Sequence, residues 1–513
     1  MTEQAELTGE RLLPDIRTIV TRRRLVLVVL CVGQMMVIID NTVVNVALPT
    51  IQRDLGFNSA GLAWVVDAYL ITFGGFLLLG GRMGDLLGRK RVLLAGLVLF
   101  TAASLLCGLS SSQGELVAGR FVQGVGAAVV SSTSLGLFAT LYPDPRERVR
   151  AMAVYAFVAV SGGSIGLLIG GAVVEALNWH WIFFINLPVG IVALVASWRW
   201  VEEHVGLGIR QGADVGGALL ITVAPMLAVY GLVTVDDHGW TSATTLSTLG
   251  GAAVLLLAFV MLESRLRTPL IRLSIFRNRN LAISDLVRGL FGVGTFGLFF
   301  LGVLYFQKVR GYSPVTTGLA YLPMTLVSST ISLSVTARLM GRIGARATLT
   351  LGLVLFAAGL AMWTRVPVHG SYASYVLPAL VIGGLGGGFI SAPNITLGMS
   401  GVRPDDTGLA SGLINVALQI GAAIGVAVLA TLSTTRTAHL LTKGVGAHEA
   451  LTSGYRLGFV VATGCVVVAL ILTTLLRSRM DGVGPVAGRP ATAAHASSFR
   501  AQDQSLGVEE ESS

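Results

Sequence analysis

Three charged residues lie deep inside long apolar runs of the sequence: Asp40, Asp67 and Arg120. An ionised side chain in the middle of a lipid bilayer costs at least about 2.5 to 3.5 kcal/mol, so it normally faces the interior of a helix bundle and has a partner or a task. Burial opposes ionisation of a carboxylate, whereas a nearby arginine favours it. These residue types suggest proton binding and release. The alternative is a permanent Asp40–Arg120 ion pair that only stabilises the bundle.

The elements that must position these residues are apolar runs long enough to cross a bilayer, which takes roughly 20 residues per helix. Hydrophobic residues make up 53% of the 513-residue chain and charged residues only 12%. That leaves too little polar surface for a water-soluble globule. We therefore predict an all-α polytopic membrane protein with fourteen transmembrane helices. Their predicted centres lie near residues 36, 70, 100, 126, 162, 190, 224, 254, 293, 327, 355, 385, 419 and 465.

Helix rise places the three charged residues at a similar depth in the bilayer. Asp40 and Arg120 lie about 8 Å, and Asp67 about 10 Å, below the outer edge of the hydrocarbon core. Because lipid exposure would be costly for each of them, we expect them to share one polar interior. Asp67 has two equal interpretations: a second proton or cation site, or a polar residue near the membrane interface.

The basic residues predict the orientation of the chain. Most of the 36 Lys and Arg residues lie in the two tails and in every second loop, which the positive-inside rule assigns to the cytoplasm. We expect both termini in the cytoplasm and a multi-pass location in the inner (plasma) membrane. The net charge of +9 is interpreted as this orientation signal and not as a nucleic-acid surface.

An internal repeat divides the chain into two halves. "RMGDLLGRKRVLLAGLVLF" (Arg82–Phe100) aligns without gaps with "RLMGRIGARATLTLGLVLF" (Arg338–Phe356), and both end in the same five residues. Parallel repeats of six helices require an even number of helices between them. We predict a cytoplasmic tail at 1–24, a six-helix bundle at 25–200, two inserted helices with cytoplasmic linkers at 201–280, a second six-helix bundle at 281–478 and a disordered cytoplasmic tail at 479–513.

Several motifs resemble a known family. "GGRMGDLLGRKRVLL" (Gly80–Leu94) resembles the Gly-x-x-x-Asp-x-x-Gly-Arg-Lys loop between spans two and three of the major facilitator superfamily. Four further motifs are similar to signatures of its fourteen-span drug:proton antiporter family: "IDNTVVNVALP" (Ile39–Pro49), "WVVDAYL" (Trp64–Leu70), "GRFVQGVGAA" (Gly119–Ala128) and "WHWIFFINLPVG" (Trp179–Gly190). The resemblance implies two six-helix bundles that rock around a central cavity. It also implies export of hydrophobic or amphipathic drug-like compounds in exchange for protons, with the proton gradient as energy source and no cofactor.

The resemblance also implies roles for two groups of residues. A charge latch between the halves would be formed by Gly81, Asp85, Gly88, Arg89 and Lys90. The simpler interpretation of this segment is an ordinary basic inner loop. In the fifth span, where the family has Gly-Pro pairs, this chain lacks the prolines but keeps glycines that permit close helix contact. These helix-packing glycines are Gly162, Gly166, Gly170 and Gly171.

Candidates for contact with a substrate are amide and aromatic residues: Asn45, Gln123, Trp64, Tyr69 and Tyr305. Alternatively, the amides form hydrogen bonds between helices, and the aromatic residues form belts at the membrane interface. Asp285 and Arg288 are three residues apart near the inner end of the ninth span, and we predict that they pair locally. The alternative is a substrate role for these two residues.

Other functional classes lack the chemistry that they require. The seven histidines show no paired metal spacing, and the sequence has no Gly-x-x-x-x-Gly-Lys-Ser/Thr loop. We therefore predict no metal site, no enzyme and no ATP-driven pump. The expected partners are a small-molecule substrate, protons and the bilayer, with a monomer as the expected state. A dedicated exporter of one endogenous metabolite and a non-transporting membrane sensor stay open as alternatives.

Overall fold

The computed structural model describes residues 16–58, 61–142, 144–203, 206–208, 214–266, 269–403 and 406–476. Every regular element in these ranges is helical, which confirms the predicted all-α class. The predicted tail at 479–513 and most of the predicted tail at 1–24 lie outside the described residues.

The first half of the chain contains six long helices. They are α1 (Ile16–Leu55), α2 (Trp64–Leu87), α3 (Arg89–Leu109), α4 (Gln113–Leu141), α5 (Pro145–Ala176) and α6 (Asn186–Trp200). A four-residue helix, Trp181–Phe184, precedes α6. Two helices then follow before the second half begins: α7 (Val215–Val233) and α8 (Ala243–Arg265).

The second half is built from more segments, because several of its spans are interrupted. Its helices are α9 (Arg279–Leu304), α10 (Pro314–Thr330), α11 (Thr336–Ile343), α12 (Ala345–Trp363), α13 (Leu377–Gly388), α14 (Ser391–Met399), α15 (Thr407–Thr442) and α16 (Ala447–Thr473). A π-helical turn, Ile331–Val335, joins α10 to α11 within one span. Another span breaks at Phe389 and Ile390, between α13 and α14.

Thirteen helical segments among the described residues are long and apolar enough to cross a membrane, and each surrounds one predicted centre. The remaining predicted span, near residue 162, lies in α5, a helix of 32 residues. Its apolar part among the described residues is Ile165–Ala176. The chain is a multi-pass membrane protein, and the count of fourteen spans stays a prediction.

Large apolar side chains cover the outer faces of the helices. Trp198 on α6 is 66% exposed and Val254 on α8 is 63% exposed. In water, an apolar surface of this kind would favour association with other proteins. In a bilayer it is the surface that contacts lipid, because lipid tails are as apolar as these side chains.

The internal repeat reappears in the backbone. α2 ends and α3 begins around Gly88, whose φ is 98°, and α11 ends and α12 begins around Gly344, whose φ is 85°. The two positions are equivalent in the sequence alignment of the repeat. Only glycine adopts this left-handed conformation at no steric cost, so both copies use it to turn sharply between antiparallel helices.

The two halves meet along two seams. In the first seam α2 packs against α15: a Cβ added at Gly74 would lie 3.1 Å from Gln419 Cβ, and a Cβ added at Gly412 would collide with Leu78. In the second seam α5 packs against α10. There, a Cβ added at Gly171 would lie 2.6 Å from the Pro314 carbonyl oxygen.

Hydrogen bonds join the halves on the far side of the membrane, the side away from the start of α1. Gln307 Nε2 donates to the Val46 carbonyl oxygen at 2.9 Å, and Lys308 donates to Gln52. The Val315 N–H donates to Glu175 at 3.2 Å. The far-side ends of the two halves are therefore held together in this structure.

The inserted helix α7 contacts both halves. Thr222 on α7 lies so close to Gly75 on α2 that a Cβ at Gly75 would collide with its hydroxyl group. Near the other end of α7, the Leu232 carbonyl oxygen accepts a hydrogen bond of 3.0 Å from Thr431 on α15. α7 therefore lies over the seam between α2 and α15.

Candidate functional site

Asp40 and Arg120 form a completely buried ion pair. Asp40 lies on α1 and Arg120 on α4, and their side chains are 0% and 1% exposed. Arg120 Nη1 donates to Asp40 Oδ2 at 2.6 Å. The structure therefore brings together two of the three charged residues that the sequence singles out.

Two amide side chains complete the coordination of the Asp40 carboxylate. Gln123 Nε2 donates to Asp40 Oδ1 at 2.7 Å, and Asn186 Nδ2, from α6, donates to the same oxygen at 2.8 Å. Gln123 also accepts from Arg120 Nη1 at 2.8 Å and donates to Ser104 on α3 at 2.8 Å. We call the five residues Asp40, Arg120, Gln123, Asn186 and Ser104 the first-half network. It ties together four helices.

Sequence reasoning missed Asn186 and Ser104 as members of this network. Asn186 is 2% exposed and Ser104 is 0% exposed. The signal for Asn186 was present, because an amide in an apolar run needs a partner in the membrane interior. Asn186 lies inside the motif Trp179–Gly190, which sequence reasoning uses only as evidence of family resemblance. Ser104 carries no such signal, since a serine in a helix can bond its own backbone.

Backbone and aromatic groups of α2 hold Arg120 in place. Its Nε donates to the Val65 carbonyl oxygen at 3.0 Å. Its Cζ lies 4.2 Å from the centre of the Tyr69 ring, and a desolvated contact of this kind is worth about 2 kcal/mol. Tyr69 in turn donates to the Val37 carbonyl oxygen on α1 at 3.3 Å. Tyr69, one of the predicted substrate contacts, thus lies beneath the guanidinium group.

Asp67 does not join the first-half network. It is 0% exposed, and within the described part of the chain neither of its carboxylate oxygens has a hydrogen-bond partner. The reason is helical geometry. Val65 and Tyr69 face Arg120, and a residue two positions from each points to the opposite side of the helix. The expectation that all three charged residues share one polar interior is wrong for Asp67.

Asp67 lies on the face of α2 that packs against the second half. Gly74 and Leu78 follow it at seven and eleven positions, spacings that return to the same side of a helix. Gly74 and Leu78 both contact α15, as the α2–α15 seam shows. The unpartnered carboxylate therefore lies on the interface between the halves.

The other predicted substrate contacts lie in different surroundings. Asn45 is 4% exposed and donates to the Asn41 carbonyl oxygen of its own helix at 3.0 Å. Trp64 begins α2 and is partly buried against the core. Tyr305 is 1% exposed, and its hydroxyl group donates to the Pro367 carbonyl oxygen at 2.7 Å. A substrate role for these residues stays a prediction.

The predicted latch residues lie at the turn between α2 and α3. Arg89 Nη2 donates to Asp85 Oδ1 at 2.9 Å, and Arg89 Nη1 donates to the Gly136 carbonyl oxygen on α4 at 2.6 Å. These contacts all lie within the first half. Gly81 has room for a Cβ, whose nearest neighbour would be Ser132 Cβ at 3.8 Å, and Lys90 is partly exposed.

The chain that leads from α6 to α7 docks on this turn. The Leu207 and Gly208 N–H groups donate to the Asp85 and Leu86 carbonyl oxygens, each at 3.0 Å. A Cβ at Gly206 would collide with the Leu86 carbonyl group. The inserted helices are thus attached directly to the turn that carries the predicted latch.

The predicted helix-packing glycines make close contacts between helices. A Cβ at Gly166 would lie 3.2 Å from Ile39 Cα, and one at Gly170 would lie 3.1 Å from Val43 Cα. Gly162 faces Ile38 on the same helix, α1. Gly171 instead faces α10 in the second half, so it belongs to the α5–α10 seam.

The predicted ion pair between Asp285 and Arg288 is wrong. Arg288 Nη1 donates to the Ser391 hydroxyl group on α14 at 2.9 Å. Asp285 Oδ1 has no hydrogen-bond partner anywhere in the described ranges. Spacing of three residues brings two side chains to one side of a helix, but here a neighbouring helix supplies the partner of Arg288.

Comparisons with known proteins agree with this architecture. A family model described as Major Facilitator Superfamily matches residues 30–426. A puromycin resistance protein of Streptomyces alboniger is 37% identical over 452 residues, covering 88% of this chain and 90% of that protein. A cephamycin export protein of Amycolatopsis lactamdurans is 35% identical over 466 residues, covering 89% and 94%. A multidrug resistance protein of Mycobacterium tuberculosis is 37% identical over 423 residues, covering 81% and 78%.

Solved structures share the fold at low sequence identity. A bacterial homolog of the human lysosomal transporter Spinster, in an inward-facing and unoccupied conformation, matches with a TM-score of 0.64 and 15% identity, covering 89% of this chain and 97% of that chain. An auto-inhibited POT family peptide transporter matches with a TM-score of 0.65 and 17% identity, covering 90% and 99%. Together with the family model and the relatives, the buried charges and the repeated helical halves place this chain in the Major Facilitator Superfamily.

Proposed function

We propose that the protein exports antibiotics or other hydrophobic or amphipathic drug-like molecules in exchange for protons, by alternating access. Relatives named for puromycin resistance, cephamycin export and multidrug resistance, each similar over more than three quarters of its length, support the substrate class. The observation that carries proton coupling is the Asp67 carboxylate, which is fully buried on the interface between the halves and lacks a partner among the described residues.

Asp67 and Asp40 take complementary parts in the proposed coupling. Burial without a hydrogen bond favours the neutral form of a carboxylic acid, so Asp67 holds a proton in this arrangement. When the halves rock, the α2–α15 seam changes, and Asp67 meets water and releases the proton. Asp40, with three donors on its carboxylate, stays ionised here and accepts a proton when the network loosens.

The latch and the surroundings of the protein complete the proposal. The Asp85 side chain is 44% exposed, so it can exchange its partner when the inner ends of the halves approach each other. Both termini lie in the cytoplasm, and the protein lies in the plasma membrane. It works as a monomer on a small-molecule substrate, with the proton gradient as its energy source and no cofactor.

A dedicated exporter of one compound is the second candidate. It is favoured by the cephamycin export protein, a relative whose name gives a single class of compound and whose matched region covers 94% of its own length. A panel of unrelated drugs separates the two candidates, because a dedicated exporter protects cells against one chemical class only.

The direct test is transport in proteoliposomes with an imposed proton gradient. Puromycin and the dye ethidium serve as probes, and a protonophore collapses the gradient. We expect accumulation of at least one probe that stops when the gradient is collapsed. Accumulation that is indifferent to the gradient would refute proton coupling, and failure with every drug in a broad panel would refute drug export.

A further inference from the structure

Arg288 is a buried cation without an anionic partner. It lies on α9, about 14 Å along the helix from Arg279, and it is 7% exposed. Its hydrogen bond to the Ser391 hydroxyl group, at 2.9 Å, is to a neutral group. Within the described residues its Nε has no hydrogen-bond partner, and its guanidinium group forms no ion pair with a carboxylate.

Such an arrangement calls for an anion. Arginine does not lose its proton in proteins, so it cannot avoid its charge when it is buried. An ionised residue inside a membrane span is costly and normally pairs with an opposite charge or with a ligand. The Phe291 ring, 5.8 Å from the guanidinium carbon, is a further weak partner, and it does not neutralise the charge.

The partner of Arg288 stands at the start of a broken helix. The span breaks at Phe389 and Ile390, and α14 begins at Ser391. The amino-terminal end of a helix carries a partial positive charge, and half-helices in transporters commonly direct this end at anionic substrate groups. Two positive features, the guanidinium group and the start of α14, therefore meet at one place.

Other polar atoms at the same contact between α9 and α14 also lack partners. Ser284 and Asn394 are both 0% exposed. Asn394 Nδ2 donates to the Ser284 carbonyl oxygen at 3.2 Å, but across the described ranges Ser284 Oγ and Asn394 Oδ1 have no hydrogen-bond partner. Of these two atoms, Ser284 Oγ can donate a hydrogen bond to an anionic group beside Arg288, whereas Asn394 Oδ1 can only accept one.

We propose that Arg288, together with Ser391 at the start of α14, binds an anionic group of the transported molecule. A carboxylate or a phosphate fits the planar donor fork of the guanidinium group. Ser391 is only half-buried. The inference rests on the proposed function and adds to its substrate range compounds that carry a negative group. The phosphate of an anionic lipid offers the same chemistry.

The test uses purified full-length protein in neutral phosphatidylcholine nanodiscs, with benzoate as the anionic probe and benzamide as its neutral match. We expect benzoate to raise the unfolding temperature and benzamide to have no effect. In Arg288→Gln the affinity for benzoate should fall about tenfold or more, since hydrogen bonds to a charged group are lost. Ser391→Ala should weaken it less. Arg346→Gln is the matched control, because Arg346 donates to the Thr474 carbonyl oxygen in an exposed position.

A second arm distinguishes a solute from a lipid as the source of the anion. Phosphatidylglycerol is added to the nanodiscs, and the benzoate titration is repeated. If the site takes a solute, benzoate binding persists; if a lipid occupies it, phosphatidylglycerol stabilises the wild type, abolishes the benzoate effect and does not stabilise Arg288→Gln. Persisting benzoate binding supports the proposal, whereas occupation by the lipid keeps an anion site at Arg288 but overturns its role in binding the substrate.

Stability without any anion separates a binding role from a structural one. Removing a cation that has no anionic partner among the described residues should leave the unfolding temperature of Arg288→Gln unchanged or higher, whereas a structural arginine would lower it. If Arg288→Gln does not fold, Arg288→Lys takes its place. This variant keeps the charge but loses the planar donor fork, so it should bind benzoate several-fold more weakly than the wild type does.

The proposal is overturned if neither anion stabilises the wild type. It is also overturned if both anions stabilise the Arg288 variants as much as they stabilise the wild type. Proton-driven accumulation of puromycin or ethidium is measured on the same preparations. Because neither probe carries a negative group, transport that continues while the anion effects fail would leave the proposed function standing.

Discussion

Buried charge is arranged differently in the two halves of the molecule. In the first half, Asp40 on the first helix meets Arg120 on the fourth, and every oxygen of the carboxylate accepts hydrogen bonds. In the second half, Arg288 on the first helix meets Ser391 on the fourth span, and its charge is left unpaired among the described residues. The same pair of helices therefore carries a closed network in one half and an open one in the other.

The difference shows what the internal repeat preserves. Gly88 and Gly344 repeat the backbone conformation of the turn after the second span, because the helices on both sides must reverse direction in each half. Asp85, by contrast, aligns with Gly341, so the charge of this turn occurs only once. The repeat thus preserves the backbone of the turn, whereas the charged residues differ between the two halves.

The largest effects on stability and export are expected from Asp40→Asn, which disrupts the paired charges of the first half. It removes the carboxylate that Arg120 contacts at 2.6 Å, and breaking a buried ion pair costs about 3 to 5 kcal/mol. An amide also cannot bind and release a proton, so proton-driven export should stop. Thermal unfolding of the purified variant and proteoliposome transport measure the two effects. Adding Arg120→Gln should restore much of the stability and none of the transport.

A folded Asp40→Asn protein that still concentrates a probe against its gradient would contradict this prediction. Asp40 would then be a structural residue, and the first-half network would carry no protons.

The second prediction concerns Asp67→Asn. Export should be lost as in Asp40→Asn, but the free energy of unfolding should stay the same or rise, because no hydrogen bond of the described residues is broken. Glu203→Gln is the control, since Glu203 pairs with Arg91 at the exposed ends of the helices and should leave transport intact. A large loss of stability without a loss of transport would show that Asp67 is not a coupling residue.

The third prediction tests the missed member of the network. Asn186→Leu removes one donor from Asp40 Oδ1, and an unpaired buried polar group costs about 1 to 3 kcal/mol. Export should weaken without disappearing, because Arg120 and Gln123 still hold the carboxylate. Asn45→Leu is the matched control: the Asn45 amide donates to a carbonyl oxygen of its own helix, so its loss should cost less stability. Equal losses from both variants would mean that Asn186 acts through packing alone.

The smallest combined effect on stability and export is expected at the turn between α2 and α3. Asp85→Asn breaks a partly exposed ion pair, which contributes at most about 1 kcal/mol. The amount of protein in the membrane should stay near normal while transport falls. Gly341→Ala, at the equivalent position, should have little effect, because nothing lies within 4 Å of an added Cβ and its φ is not positive. Equal losses of transport from Asp85→Asn and Gly341→Ala would indicate that the turn has only a structural role and is not a latch.

Sequence reasoning predicted the spans and the first ion pair because both follow from strong energetic rules. Apolar length fixes where a helix can cross a bilayer, and the cost of burying Asp40 and Arg120 demands a partner for each. It failed where rotation of a helix decides the outcome. Asp67 lies on the face of α2 opposite the residues that contact Arg120, so it does not join the first-half network. Arg288 bonds to Ser391 on α14 and not to Asp285.

The break between α13 and α14 was also missed, although the sequence signals it. Gly386, Gly387 and Gly388 precede the break, and Pro393 follows it within the first turn of α14. Glycine and proline weaken a helix, but in membrane spans both are common and neighbouring helices often compensate. Only the packed structure shows that this span is discontinuous.

The position of α7 has a consequence for compounds dissolved in the membrane. α7 lies against Gly75 on α2 and accepts a hydrogen bond from Thr431 on α15, so it covers that seam on its lipid-facing side. Among the described residues, α7 makes no equivalent contacts with the α5–α10 seam. A hydrophobic compound that diffuses out of a membrane leaflet therefore has unequal access to the two seams. The inserted helices α7 and α8 do not block lateral entry at the seam between α5 and α10.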